Sequence, residues 1–202
     1  ITVGEWLLKK EYVKVNPALG IEKVRQGSKK RIIISDEDLQ TIFSYLSEDN
    51  QAYYALCMTI YYTFIRRKEL AELKVKHVLL DTNTIHIPAY ISKNRKDDIV
   101  TIPDRLYHIL RFHLMHSAPE DYLFSVDAFK TGKKPMNPKK ISDRWAKIRK
   151  DLLLPEKYQF YSLKDTGITA MLKAGVAPIV VRDQVDIPMK VNHLFRSKVS
   201  SV

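Results

Sequence analysis

Tyr161-Ser162-Leu163-Lys164-Asp165-Thr166-Gly167-Ile168-Thr169 lies between a proline-bounded loop and a stretch, residues 169–175, that reads as a helix closed by Gly175. Its lysine is the anomaly. Cations are favoured at the C-terminal end of the helix macrodipole and disfavoured at the N-terminal end, where Lys164 falls. Something outside the helix should want it there.

Composition limits what that something is. The chain has 202 residues, enough for one domain of ordinary size with part of another attached. Hydrophobic residues make up 45% of it and no apolar run approaches the length of a membrane span, so a soluble globular protein with no membrane segment is expected. Cys57, the sole cysteine, sits in the apolar run Tyr53–Tyr62, which excludes an intramolecular disulfide and points to a buried, inert thiol in a cytosolic protein. The first fifteen residues lack a signal peptide's order and read as the middle of a helix, so the chain is expected to be a fragment. Thirty-four Lys and Arg against 23 Asp and Glu leave a net charge of +11. Nucleic acid is the first partner such a surface suggests, with a merely solvated basic face or contact with anionic lipid as alternatives that net charge does not separate.

Along the chain, the helix that begins near Gly4 should stop near Val15, because Pro17 disfavours helical backbone at Asn16. Residues 16–34 have glycines, a basic cluster and little periodicity, and read as an interdomain linker. Ser35 supplies an N-cap, after which Leu39, Ile42, Phe43 and Leu46 fall at helical spacing. Residues 52–64 are apolar nearly all round and so form a central helix, and another begins at Arg66 after a break near Ile65. Residues 82–89 and 97–103 alternate and are rich in β-branched types, which predicts a hairpin with Ile91-Ser92-Lys93-Asn94 in its polar connection. Asp104 is placed to cap a helix through His113, and Asn137-Pro138 to start the basic helix that follows. His113 and His116 have a spacing that brings metal to mind, but no carboxylate or cysteine cluster joins them, and surface positions on a helix are expected.

Taken in order, Arg66-Arg67-Lys68-Glu69-Leu70, the hairpin with Lys93, the basic helix and the Tyr161-x-x-Lys164 stretch resemble the tyrosine recombinase (phage integrase) family over nearly the whole chain. Alone, R-x-x-E-L is a common helical string, Lys93 a solvated loop residue and Tyr161 a candidate core aromatic; the ordered set carries the resemblance. It implies a mainly α fold with a small antiparallel sheet (α+β), of the DNA breaking-rejoining type. The catalytic domain would span 35–202, with 16–34 the linker and 1–15 the last helix of an N-terminal core-binding domain.

The implied reaction exchanges one phosphodiester for another without metal or other cofactor, in integration or excision of a mobile element. Arg66 and Lys164 would grip the non-bridging phosphate oxygens, Lys164 standing where the family has a second arginine, so charge is kept and the bidentate fork lost. Such contacts stabilise charge that builds at phosphorus in the transition state. Lys93 would protonate the departing 5′ oxygen, and Tyr161 occupies the usual place of a histidine. Counted without gaps, Asp186 falls in the Gly-His pair and Phe195, 31 positions after Lys164, falls on the nucleophilic tyrosine. No tyrosine follows Tyr161, so as written the chain is expected to be inactive. A substitution introduced to halt the reaction, an altered tail and a natural loss of activity all fit that ending. Arg66, Tyr161 and Lys164 are expected on one basic concave face, with Lys93 free to stand outside it because hairpin tips move. Lys133, Lys134, Lys139, Lys140, Arg144, Lys147 and Arg149 are candidate contacts to double-stranded DNA, with Lys140, Arg144 and Lys147 along one helical face and Trp145 turned inward. Self-assembly on the recombination site follows from the same resemblance. A DNA-binding regulator that keeps the fold without chemistry is the alternative.

Overall fold

The computed structural model of the chain describes residues 2–16, 19 and 32–186. Two compact units are present, residues 1–30 and 31–202. Most of the expected linker and Phe195 lie outside the described residues.

In the first unit, α1 spans Val3–Lys9 and starts with a capping box, Thr2 Oγ1 accepting from Glu5 N at 3.3 Å and Glu5 Oε2 from Thr2 N at 2.7 Å. It ends well before Val15. Glu11 takes a left-handed conformation (φ 59°), its N–H donates to Leu8 O and that of Tyr12 to Leu7 O, which together close the helix as a Schellman motif. The Trp6 and Tyr12 rings, 5.8 Å apart, supply the accompanying apolar contact.

The second unit is built on α3 (Gln51–Thr63), a helix with no polar face, whose Tyr53, Leu56, Cys57 and Ile60 are fully buried. Thr59 and Thr63 are buried too, and each hydroxyl bonds the carbonyl four residues back, so neither demands an outside partner. Burial pushes the Cys57 thiol well above its ordinary value. Around α3 stand α2 (Asp36–Asp49), α5 (Asp104–His113), α6 (Pro138–Asp151) and α7 (Ser162–Lys173), with the short α4 (Arg67–Glu72) following α3 directly and α8 (Pro178–Asp186) following α7. Ser35 caps α2 and Asn137 caps α6 through their side chains, as their sequence positions predict. Asp104 does not cap α5. Pro103 is the cap, and Asp104 begins the first turn, where its charge favours the helix dipole.

The hairpin is present as β2 (Thr84–Ile87) and β3 (Asp98–Thr101), antiparallel, with Ile85 opposite Val100 on the core face. A two-residue strand, β1 (Val78–Leu79), adds to the far side of β2 and completes a three-stranded sheet in the order β1-β2-β3. No helix among the described residues is long and apolar enough to cross a membrane.

The seating of α7 on α3 fixes where its N-terminus lies. Gly167 lets the two helices approach until a Cβ there would stand 2.0 Å from Tyr61 O and 3.0 Å from the Phe64 ring. Thr166, beside it, accepts from Ile34 N at 3.0 Å and bonds Ser162 O at 2.6 Å. The next residue, Ile168, packs with Phe64 and with Val181 of α8. Because backbone blocks the space, Gly167→Ala should cost about 2 kcal/mol or more despite alanine's better helix propensity, lowering the thermal midpoint by about 4–8 °C in calorimetry.

Candidate functional site

Phe64 ends α3 in the left-handed conformation (φ 60°), turning the chain sharply so that Ile65 stays buried and Arg66 emerges at the start of α4. Arg66 is extended (ψ 145°) and acts as the N-cap residue without a capping side chain of its own. Its needs are met from the third position of the helix. Glu69 Oε2 accepts from Arg66 N at 2.9 Å, and Glu69 Oε1 pairs with Arg66 Nη1 at 3.2 Å, with the arginine side chain 28% exposed and the glutamate 5%.

The same Glu69 Oε1 accepts from Lys93 N at 3.1 Å. One buried carboxylate thus holds the R-x-x-E-L arginine and the backbone of the hairpin lysine together. Lys93 does not stand apart on a loose tip: its backbone is anchored, and only its side chain projects into solvent. The sequence marks Glu69 as part of the R-x-x-E-L string, but its bond to Lys93 N, 24 residues away, has no local signal.

Asp98, at the start of β3, shares this neighbourhood. Partial burial and the Glu69 charge push its carboxyl up to about 6, against the pull of the Ile99 N–H and of Arg66 and His86. A second residue that the sequence did not single out is His77. It is buried, its Nδ1 accepts from Lys74 N at 3.0 Å, and its Nε2 stands 3.4 Å from Tyr90 Oη on the lysine-bearing loop. Burial and the nearby Lys76, His86 and Lys74 bring its pKa down to about 4, so at neutral pH the ring is uncharged and its Nε2 carries the proton toward Tyr90.

Lys164 is the third residue of α7, half-buried in its first turn, one turn from the Gly167 contact with α3. Tyr161 precedes the helix and is 43% exposed, so it is no core aromatic. Asp186 is the last residue of α8.

The basic segment is less free than its sequence suggests. Trp145 turns inward as expected, buried, with Nε1 donating to Tyr158 O at 2.8 Å. Arg144 does not join Lys140 and Lys147 on an open cationic face: its guanidinium pairs with Asp49 at the end of α2, the side chain being only 22% exposed. Lys133 pairs with Asp121 at 2.7 Å and Lys139 with Asp143 at 2.8 Å. Arg149 bonds the Glu156 carbonyl at 2.8 Å. Lys134, Lys140 and Lys147 are exposed and form no ion pair among the described residues. Arg67, beside the candidate phosphate-binding arginine, reaches Ser142 of α6 and so ties α4 to the basic helix.

His113 is not a surface histidine. Its Nε2 lies 2.8 Å from Leu123 O, its ring packs 4.9 Å from Phe124, and burial brings its pKa down, while His116 lies past the helix end at φ 67°. Two cavities of about 460 and 380 Å³ are lined chiefly by α5 and its neighbours, and neither includes Arg66, Lys93, Tyr161 or Lys164.

For Asp98 the direction of linkage is set by its raised folded pKa: it contributes stability at pH values below its unfolded value near 4, and that contribution is lost as pH rises through about 6. Asp98→Asn should accordingly gain stability relative to the parent above pH 6 and lose that advantage below pH 4, read as the difference in urea midpoints across the range.

Comparison with known proteins agrees with this layout. A tyrosine recombinase of Thermosipho africanus (strain TCF52B) is 24% identical over an alignment 180 residues long that covers 83% of this chain and 57% of that protein. The chain thus spans little more than half of that relative's length. XerA recombinase superposes with a TM-score of 0.62 at 21% identity, over 89% of this chain and 69% of its own. A lambda integrase dimer bound to a COC' core site gives 0.68 at 11% identity, over 94% and 68%. The Tn1549 transposon integrase in complex with circular intermediate DNA gives 0.68 at 13%, over 92% and 67%. At these identities the structural likeness shows a shared fold. The family assignment rests on sequence: residues 33–186 match the phage integrase family, and the chain belongs to it.

Proposed function

We propose that this chain is the catalytic domain, residues 35–202, of a tyrosine-type site-specific DNA recombinase that integrates or excises a mobile element. Residues 16–34 are its linker and 1–15 the end of a core-binding domain. The observation that carries the reading is the shared carboxylate of Glu69, which brings Arg66 and the Lys93 backbone to one place in a chain of this family. Double-stranded DNA is the substrate, several copies assemble on it, and the work is done in the cytoplasm at the nucleoid.

Arg66 and Lys164 approach the same phosphate and hold its non-bridging oxygens, Arg66 with a fork already oriented by Glu69 and Lys164 as a point charge. With a tyrosine at the nucleophile position, its phenol oxygen gives its proton to solvent water as it attacks phosphorus, the bond to the 5′ oxygen breaks, and Lys93 Nζ gives that oxygen a proton, so a 3′-phosphotyrosyl link preserves the energy of the broken bond. Tyr161 and Asp186 complete the surroundings of the phosphate in the places of the family's histidines. Phe195 stands at the nucleophile's place without an oxygen. A chain that binds DNA without cutting it is the second reading, favoured by that one residue.

Two measurements test the proposal, and only adduct formation by Phe195→Tyr favours the first reading over the second. With a nicked or suicide duplex, the chain as written should form no covalent adduct, and Phe195→Tyr should form one, weakly, because Lys164 grips less well than arginine. Adduct from the unmodified chain would require another nucleophile and would overturn the assignment of position 195. In binding titrations the affinity for duplex should fall steeply with salt, each phosphate contact adding about −0.9 to the log–log slope. Lys140→Ala and Lys147→Ala should each reduce that slope by about one contact. Arg144→Ala should leave it nearly unchanged, because Asp49 already occupies that guanidinium.

A further inference from the structure

The connection between β2 and β3, residues 88–97, turns on itself through local bonds: Ile91 N and Ser92 N both donate to Pro88 O at 2.9 Å, Arg95 N donates to Ser92 O at 3.0 Å, and Asn94 N to Ser92 Oγ at 3.3 Å. These shape the loop, and Ile91 anchors it in the hydrophobic core. Three polar side chains add to that anchor. Glu69 takes Lys93 N, His77 faces Tyr90 Oη, and Asp97 holds the base. Asp97 Oδ1 accepts from Ala89 N at 3.2 Å and lies 3.1 Å from His86 Nε2. Ala89 is two residues past β2 and Asp97 is the last residue before β3, so one oxygen joins the two ends of the loop and ties both to a β2 side chain.

What makes Asp97 informative is where its carboxylate goes. It follows Lys93-Asn94-Arg95-Lys96 directly, its side chain is 69% exposed, and yet among the described residues it pairs with none of these cations. It bonds inward, to backbone and histidine.

We infer that Asp97 is a positioning residue for Lys93, closing the base of the loop while Glu69 holds its apex, so that the ammonium is presented at a fixed distance from Arg66. The inference rests on the reading of Lys93 as the proton donor. A proton donor must stand within hydrogen-bond reach of the leaving oxygen, and misplacement by about 1 Å costs on the order of 10²-fold in rate. A lysine on an untied ten-residue loop would lose that geometry even with its own side chain intact. Asp97 touches no reacting atom. It acts through the loop.

The test uses the full chain. First, amide hydrogen exchange is followed in the protein as written and in Asp97→Ala. Exchange at Ala89 and Lys93 should speed up by about tenfold or more while the amides of α3 keep their protection. Unchanged exchange in the loop overturns the inference. Second, adduct formation is timed in the Phe195→Tyr background on two suicide duplexes that differ only in the bridging atom at the scissile 5′ position, oxygen or sulfur. A departing 5′ oxygen takes a proton from Lys93 as the P–O bond breaks; a departing sulfur leaves as thiolate and takes none. Asp97→Ala should slow the oxygen substrate by about 10- to 100-fold and the sulfur substrate little, as Lys93→Ala should, whereas Arg66→Ala should slow both. Asp97→Asn, whose amide oxygen still accepts from Ala89 N, should recover part of the rate. Equal slowing of both substrates by Asp97→Ala, or of neither, overturns the inference and leaves the proposed function standing. Absence of adduct from the Phe195→Tyr parent on both substrates overturns the two together.

Discussion

A buried carboxylate is costly unless donors surround it, and Glu69 is surrounded: two backbone N–H groups and one guanidinium converge on its two oxygens. Each of those donors belongs to a different structural problem. The Arg66 N–H is an orphan of the helix start, the guanidinium is a charge that must be aimed, and the Lys93 N–H belongs to a loop that has no ladder to bind it. The helix that carries Glu69 has six residues, too few to sustain itself by propagation. It exists because Leu70 and Ala71 are buried against the domain and because Glu69 binds its first turn back to the chain that enters it. Loss of this carboxylate would release a helix, an arginine and a loop in one step, so stability and function are difficult to separate here.

The second constraint is the backbone approach at Gly167. It sets α7 against the last turn of α3, and the turn after α3 is held by Phe64, whose ring meets Ile168 and Val181. Two residues beyond Phe64 comes Arg66; three residues before Gly167 comes Lys164. Two cations 98 positions apart in sequence are thus each tied by a few residues to one helix–helix contact. A rigid core at that point is what an electrostatic site needs, because preorganised charge costs no rearrangement when the phosphate arrives. Lys164 sits in the first turn of α7, where the helix dipole disfavours a cation, and under the proposed function an approaching phosphate would offset that cost.

Local signals in the sequence were sufficient for most of the elements. Ser35 and Asn137 bond their own helices, the alternation of residues 84–87 and 98–101 forms the hairpin, and the unbroken apolar run of α3 lies at the centre. Where reading failed, the deciding group was elsewhere or the motif was unusual. Nothing in Glu11 announces a left-handed residue, since glycine or asparagine usually fills that place, and so α1 ended sooner than the proline suggested. The strand β1 is two residues long and has no period of its own. Helical spacing put Arg144 beside Lys140 and Lys147 correctly as a matter of geometry, but Asp49, 95 residues away, decides where its charge points. The loop tethers made by Glu69, His77 and Asp97 are of the same kind, invisible until the chain has folded.

This bears on how the net charge of +11 should be understood. Lys74 and Lys76 share Glu120, Lys133 holds Asp121, Lys139 holds Asp143 and Arg144 holds Asp49, so a good part of the basic surface is engaged within the protein. Most of these pairs are exposed, worth little in stability, and available to exchange an aspartate for a phosphate. The Arg144 pair is different, because partial burial makes its separation more expensive and removes it from the set that a duplex can recruit. Among the described residues, Lys140, Lys147 and Lys150 of α6, and Lys134 just before it, are exposed and pair with no carboxylate, so under the proposed function these are the cations whose counterions a duplex would release. Under the proposed function, the net charge indicates the class of partner, and the carboxylates of the fold select which lysines are left to meet it.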